Sequence, residues 1–165
     1  MPIADSLSSF CLLLLLGIAN GAPILAQRLL AERFDTPLDG GRLLRDGRPV
    51  LGPSKTIRGV VVAVACASVA APLLGMTWMT GASLATASMA GDLISSFIKR
   101  RLGLPPHARA FGLDQIPEAL LPLLLLQSSL GLSIWQIAVV LVSFVALEAP
   151  VSRLLFRLGI RDRPY

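Results

Sequence analysis

Between Gly59 and Gly91 the chain runs 33 residues without a charged side chain, and the run ends on one carboxylate, Asp92. Two helical turns later come Lys99, Arg100 and Arg101. An uncharged run of that length is too long for one membrane helix and suits two, since about 20 apolar residues cross a bilayer. Pro72 and then Gly75-Met76-Thr77-Trp78 supply the break. The pattern predicts two antiparallel spans, about Arg58 to Leu74 and Trp78 to Ile98, with Trp78 at the interface.

Ser6 to Gln27 is a second uncharged stretch, 22 residues long, and predicts a first span. It has no basic region ahead of it, the first positive residue being Arg28, so it is expected to stay as a membrane helix and not to be cleaved as a signal peptide. Ile116 to Leu130 predicts a short fourth span and Ile134 to Leu158 a fifth. The composition agrees, with 54% hydrophobic and only 15% charged residues, against roughly a quarter charged in soluble domains. The expected fold class is all-α, a polytopic membrane protein of about five transmembrane helices forming a single domain over residues 1–165. Cys11 and Cys66 both fall in apolar runs and are expected to be small buried hydrophobes, with no disulfide or metal pair.

The 15 Lys and Arg against 10 Asp and Glu leave a net charge of +5. In a hydrophobic chain this points to anionic headgroups or phosphorylated substrates as partners, and not to nucleic acid. With five spans and the N-terminus outside, every Lys and Arg falls on the other side. The positive-inside rule therefore predicts a cytoplasmic C-terminal tail with Arg157, Arg161 and Arg163, in the cell's inner (plasma) membrane. The two polar connections, Arg28 to Arg58 and Lys99 to Gln115, then face the cytoplasm, and the outer turns are too short to hold a domain. Chemistry is expected at that inner face, and the longer connection is expected to be ordered and functional.

Asp92 is the first candidate. An acid within a span costs about 2.5 to 3.5 kcal/mol on insertion scales and marks a functional site, although a structural ion pair with a neighbouring Arg also accounts for it. Gly81, Ala85, Ser88, Asp92, Ser95, Ser96 and Lys99 give its helix one small, polar face, which also suits close helix packing. The second candidate is Gly52-Pro53-Ser54-Lys55-Thr56-Ile57-Arg58-Gly59, standing before a helix. Its hydroxyls and cations suit phosphate, while snorkelling at a membrane edge explains Lys55 and Arg58 equally. Gly47 and Gly52 have the spacing of a Walker A pair, yet Lys55 and Thr56 come two residues late and no strand precedes, so a P-loop is rejected.

The third candidate is Asp114-Gln115-Ile116-Pro117-Glu118 at the start of the fourth span. Asp114 and Asp92, from different loops, can share a divalent cation, or Asp114 can simply cap its helix. Asp39, in a glycine turn, is a further site candidate. So is Asn20, in Asn20-Gly21-Ala22-Pro23, which is expected to bend the first helix and expose its amide. Glu118 and Glu148 are expected at membrane depth on the same side, Glu148 paired with Arg153. His107 is expected to be a solvated loop histidine. One histidine and two intramembrane cysteines cannot supply a serine, cysteine or zinc mechanism.

Taken in order, Gly-Pro-Ser-Lys-Thr-Ile-Arg-Gly, Gly-Asp-Leu-Ile-Ser-Ser-Phe-Ile-Lys-Arg-Arg-Leu-Gly and Asp-Gln-Ile-Pro-Glu resemble the CDP-archaeol synthase family, itself similar to the phosphatidate cytidylyltransferases. The likeness runs from Asn20 to the fourth span. It implies a Mg²⁺-dependent transfer of CMP from CTP to a lipid phosphate, of isoprenoid glycerol or phosphatidate type, releasing pyrophosphate. On that resemblance Asp92, Lys55 and Asp114 are catalytic, with Asp92 and Asp114 holding Mg²⁺. Lys55 and Arg58 meet the pyrophosphate, Ser54, Thr56, Asp39 and Asn20 help to bind substrate, and Lys99, Arg100 and Arg101 attract the lipid phosphate. The competing expectation is a non-enzymatic scaffold or small transporter in which Asp92 and Lys55 form a structural network.

Overall fold

A computed structural model describes residues 2–105, 108 and 110–160 of the 165. The chain forms α1 (Pro2–Leu30), α2 (Ile57–Leu73), α3 (Trp78–Arg101), α4 (Gln115–Leu125), α5 (Gln127–Leu130) and α6 (Ile134–Arg157). Among the described residues the only extended pairings are two isolated bridges, Pro37 with Thr56 and Leu43 with Pro49. His107, Arg161 and Arg163 lie outside the described residues.

Helix starts follow the local chemistry. Thr56, Thr77 and Ser133 are extended residues whose hydroxyls accept N–H bonds from Gly59, Thr80 and Gln136 at the heads of α2, α3 and α6, each meeting an N–H that the helix itself cannot satisfy. The turn after α2 needs Gly75 at φ 75°, a backbone conformation that glycine adopts without Cβ strain.

Helix α3 is the axis of the bundle and packs against α1, α2 and α4, while α6 lies on α1 and α4. Two glycines make this possible. A Cβ on Gly81 would sit 2.2 Å from the Ala67 carbonyl oxygen of α2, and one on Gly91 would sit 2.1 Å from the Pro117 carbonyl oxygen of α4. The small face of α3 is thus a packing face at both ends, with Asp92 immediately beyond the second contact. Leu12, Leu15, Leu16, Ala67, Leu84, Ala119, Leu123 and Val140 fill the core between the helices.

Outside that core the bundle is apolar where it faces outward, with Val61, Val69, Leu73, Val142 and Leu154 exposed. That surface suits hydrocarbon, and Leu7–Leu30 and Ile134–Arg157 are each long and apolar enough to cross a membrane. Trp78 and Trp135, 61% and 75% exposed, open α3 and α6 at the end carrying the short turns, the position of an interfacial aromatic belt. The other end gathers the C-termini of α1, α3 and α6, the N-termini of α2 and α4, and both long connections.

Several expectations need correction. The fourth span is two pieces, α4 and α5, interrupted at Leu126; α4 alone reaches only about 17 Å at 1.5 Å per residue. Helix α1 runs continuously through Asn20-Gly21-Ala22-Pro23, and the Asn20 amide, expected to be exposed, turns inward. Cys11 is buried as expected, whereas Cys66 is exposed on the outward face of α2. Glu148 does not pair with Arg153: it accepts from the buried Gln115 side chain, which keeps it inside the bundle while Arg153 points outward.

Candidate active site

The residue order explains why Lys55 and Asp92 meet. Lys55 is two residues before α2 and Asp92 is one residue beyond the Gly91 contact on α3, so both stand where the polar end meets the apolar bundle. The Lys55 ammonium lies 2.7 and 2.6 Å from the two carboxylate oxygens of Asp92. Both side chains are about three-quarters buried, 23% and 25% exposed, so the pair is partly shielded yet open to a water-borne ligand.

A second pair stands one loop away. The Lys99 ammonium is 2.6 Å from Asp114 and also donates to the Ala108 carbonyl at 3.2 Å. Asp114 accepts from the Ala110 N–H at 3.0 Å and makes no capping bond to α4, which removes helix capping as its role. Glu118, one turn into α4, stands half-buried within reach of the charges of Asp92, Lys55, Glu148 and Asp114. The polar end therefore concentrates four carboxylates around two lysines.

Arg58 lies elsewhere. Instead of facing the site, its side chain is 5% exposed and pairs with Asp35 at 2.8 Å. It also donates to the carbonyls of Ala31, at 2.8 Å, and Arg33. Ala31 and Phe34 turn into positive φ, 48° and 59°, as the chain leaves α1. Arg58 satisfies the carbonyls this exit strands. Thr56 is spent on the α2 cap, and Ser54 is exposed on the loop.

Asp39 is likewise engaged within its own loop. Its two oxygens take the N–H groups of Gly41 at 2.9 Å, Leu51 at 2.8 Å and Gly52 at 3.2 Å, knotting the long connection upon itself. Partial burial works to raise this carboxyl, but the three N–H donors outweigh it and hold it below its ordinary 3.8. Asn20 faces inward: its amide donates to the Leu16 carbonyl at 2.9 Å and to Ser88 at 3.1 Å. Ser88 is one turn below Asp92, so Asn20 braces α1 against α3 beneath the site.

The basic collar divides. Arg101 pairs with Asp46 at 2.7 Å and donates to the Pro49 carbonyl, stacked on Phe97 at 5.4 Å. Arg48 answers by donating to the Arg101 carbonyl at 2.7 Å. The N–H of Arg48 and the Arg101 guanidinium hold the exposed Asp46 carboxyl below its ordinary value. Arg101 is thus a latch for the long connection, Lys99 belongs to Asp114, and Arg100 is buried. Gln115, 1% exposed, was not singled out in the sequence; it receives the Gly112 N–H at 2.7 Å while its amide reaches Glu148. The available signal was its place beside Asp114, a polar side chain opening an apolar span.

Among the described residues, no three His, Cys, Asp or Glu side chains stand close enough to hold a metal ion by themselves. The donors that are present, carboxylate oxygens of Asp92 and Asp114, are hard and few, which fits Mg²⁺ shared between one or two protein carboxylates and substrate phosphates. Each carboxylate now holds an ammonium in the position a cation would take.

Comparisons with known proteins place the chain in a family. The CarS-like family model, described as CDP-archaeol synthase, matches residues 74–165. The CDP-archaeol synthase of Pyrobaculum calidifontis is 35% identical over 155 residues, covering 90% of this chain and 91% of its own length. That of Sulfolobus acidocaldarius is 34% identical over 160 residues, covering 92% and 98%. A solved structure described as an intramembrane enzyme for archaeal membrane lipids biosynthesis superposes with a TM-score of 0.73 at 29% identity, over 86% of this chain and 90% of that one. With the family model spanning more than half of the residues and full-length relatives on both sides of the Lys55–Asp92 pair, the chain belongs to the CDP-archaeol synthase family.

Proposed function

We propose that this protein transfers CMP from CTP to an isoprenoid glycerol phosphate in the membrane, giving a CDP-lipid and pyrophosphate in membrane-lipid synthesis. Family membership supports the reaction, and the observation that carries the reading is the Lys55–Asp92 pair at the junction of polar connection and apolar bundle. A water-borne nucleotide and a membrane-borne phosphate can meet only at such a junction.

The lipid phosphate monoester is largely dianionic at neutral pH, because its second proton leaves near pH 6. It therefore attacks the α-phosphorus of CTP without a strong general base. A new P–O bond forms there while the bond from the α-phosphorus to the α,β-bridging oxygen breaks, and pyrophosphate departs with the electron pair. The protein has mainly to position the reactants and neutralise charge.

Lys55 moves from Asp92 to the polyphosphate as substrate enters, stabilising the charge on the leaving group. Asp92, once freed of its ammonium, and Asp114 would be the carboxylates that hold Mg²⁺, the cofactor of this reading. When bound, that ion neutralises the nucleotide phosphates and draws charge from the α-phosphorus. The site lies on the cytoplasmic face of the plasma membrane in a single five-span domain with the N-terminus outside, as the distribution of Lys and Arg supports.

The test is direct. Purified protein with CTP, Mg²⁺ and a panel of ether and ester lipid phosphates is expected to release pyrophosphate and form a CDP-lipid, fastest with the isoprenoid ether. A folded protein that releases none with any lipid overturns the reading.

A further inference from the structure

Between Arg42 and Val50 the longer connection folds back on itself as a small hairpin. Leu44 and Val50 donate their N–H groups to the carbonyls of Arg48 and Arg42, Leu43 bridges Pro49, and Gly47 turns the chain at φ 71°. Asp46, Arg48 and Pro49 fasten this hairpin to Arg101 at the end of α3. Arg101 comes nine residues after Asp92, about two and a half turns at 3.6 residues per turn, and therefore points to the opposite side of the helix. Ile94 and Phe97 share that side, 48% and 39% exposed, and the Arg101 guanidinium lies over the Phe97 ring. The hairpin thus sits on the outward side of α3, one turn, or about 6 Å, beyond apolar surface that faces hydrocarbon. It does not sit over the active site.

At the hairpin tip, Leu43 and Leu44 are 63% and 42% exposed and stand between Arg42 and Arg45, which are exposed as well. Among the described residues neither arginine makes an ion pair or a side-chain hydrogen bond, while Asp46, the acid of the tip, is neutralised by Arg101. Singly exposed leucines are ordinary. Two adjacent ones flanked by free guanidinium groups, at headgroup height, have the apolar body and cationic edge of a segment that lies in a membrane interface. We propose that the hairpin is a membrane-surface contact, in which Leu43 and Leu44 enter the boundary between headgroups and acyl chains and Arg42 and Arg45 bind the phosphates of anionic lipids. A neutral leaflet would match the leucines alone, so charge complementarity selects a leaflet carrying negative headgroups. The same connection carries Lys55, and the leaflet therefore steadies it from outside whatever reaction the site performs.

A membrane contact and a loop that stays in water respond differently to lipid charge. Each arginine near an anionic surface favours the membrane-bound position by about fivefold, and added salt screens that preference. Arg42→Gln and Arg45→Gln are each expected to lower the ratio of inserted to withdrawn hairpin by about that factor in anionic membranes and to change little in neutral ones. Leu43→Ser is expected to lower it in both, because the apolar contribution does not depend on headgroup charge.

The experiment places a bimane label at Leu44→Cys, in a background carrying Cys11→Ala and Cys66→Ala, and repeats it at Leu43→Cys. A label at Ser54→Cys, on the exposed part of the same connection, is the reference. The full chain is set in phosphatidylcholine nanodiscs with and without phosphatidylglycerol, and quenching by lipids spin-labelled near the headgroup is read at low and high salt. Blue-shifted emission with quenching at Leu43 and Leu44, stronger in the anionic discs, weakened by salt and by either arginine variant, and absent at Ser54, is expected. Water-like, unquenched emission at both leucines in anionic discs overturns the proposal, and so does quenching that ignores lipid charge and both arginines. Energy transfer between copies labelled at Leu44→Cys, with no quenching by lipid, would seat a second copy on the hairpin and overturn it equally. None of these readings requires turnover, so an inactive protein would count against the proposed reaction and leave the hairpin to be judged by its position.

Discussion

Lys55 and Asp92, 37 positions apart, meet through both carboxylate oxygens at 2.7 and 2.6 Å, and this pair ties the long polar connection to the central helix. If the pair serves only to hold that connection, removing either partner should loosen the loop and lower stability. If it is a resting state that opens to substrate, turnover should suffer far more than stability.

We expect the second outcome. Asp92→Asn and Lys55→Met should each lower pyrophosphate release by about 10²- to 10³-fold, the loss seen when one preorganised electrostatic group is removed from an active site. Melting temperatures should shift by only a few degrees, since several other bonds anchor the loop. Turnover within tenfold of the parent in either variant would remove that residue from the chemistry.

A glycine sets the distance between the two halves of the site. Gly91 brings the backbone of α3 against Pro117 of α4 with no room for a methyl group. Gly91→Ala must therefore push α4 outward and carry Asp114 with it. Overpacking of this kind costs about 1–3 kcal/mol, and misplacement of a site residue by about 1 Å can cost about 10²-fold in rate. A melting curve and a rate assay should both respond, whereas Gly17→Ala, with nothing within 4 Å, should leave both unchanged.

What the sequence could convey divides along a physical line. Asp92 stood out because a charge inside an apolar run is expensive wherever the chain folds, and Lys55 because it sits at a helix start. The start of α3 at Trp78 was legible from the Pro72 and Gly75 break inside an uncharged run. The place of Arg58 was not legible, because its partners, the carbonyls of Ala31 and Arg33, become available only when α1 ends in positive φ, which no local pattern announces. The place of Asn20 was hidden in the same way, since the hydroxyl that receives its amide is 68 positions away. The split of α4 from α5 at Leu126 was equally hidden, because the run from Ile116 to Leu130 is uncharged apart from Glu118.

Arg58→Ala should behave as a structural lesion. It strands two carbonyls and the Asp35 carboxylate, an expected loss of about 2–3 kcal/mol when bonds to a buried charged group are removed. The folded fraction should keep the parent KM for CTP, measured below the lowered melting temperature. A raised KM at full folding would return Arg58 to the substrate.

The pH response of the long connection follows from Asp39. Its carboxyl is lowered in the folded protein, so the folded state binds the proton less readily than the unfolded one. That contribution to stability is fully present above the ordinary value of about 3.8 and is lost as pH falls through the folded value. Melting temperature should therefore be insensitive to Asp39 between pH 5 and 8 and fall only in stronger acid. Asp39→Ala should lose the same increment at neutral pH. Protease cleavage between residues 40 and 50 reads the loosening directly.

Gln115 supplies the last expectation, because it joins three segments around Asp114. Its carbonyl holds the Gly112 N–H, its amide holds Glu148 of α6, and the adjacent residue is Asp114 itself. The outer helix α6 thus fixes the direction of an acid it never touches. Gln115→Ala should raise the Mg²⁺ concentration needed for half-maximal turnover by about tenfold, the lower range for losing a supporting bond at a metal site. Glu148→Gln still offers an oxygen to the Gln115 amide and removes one of the four crowded carboxylates, so it should stay within about threefold of the parent. Glu148→Leu offers nothing and should resemble Gln115→Ala. Equal effects of Glu148→Gln and Glu148→Leu would mean that the charge of Glu148, and not its bond to Gln115, is what the site uses.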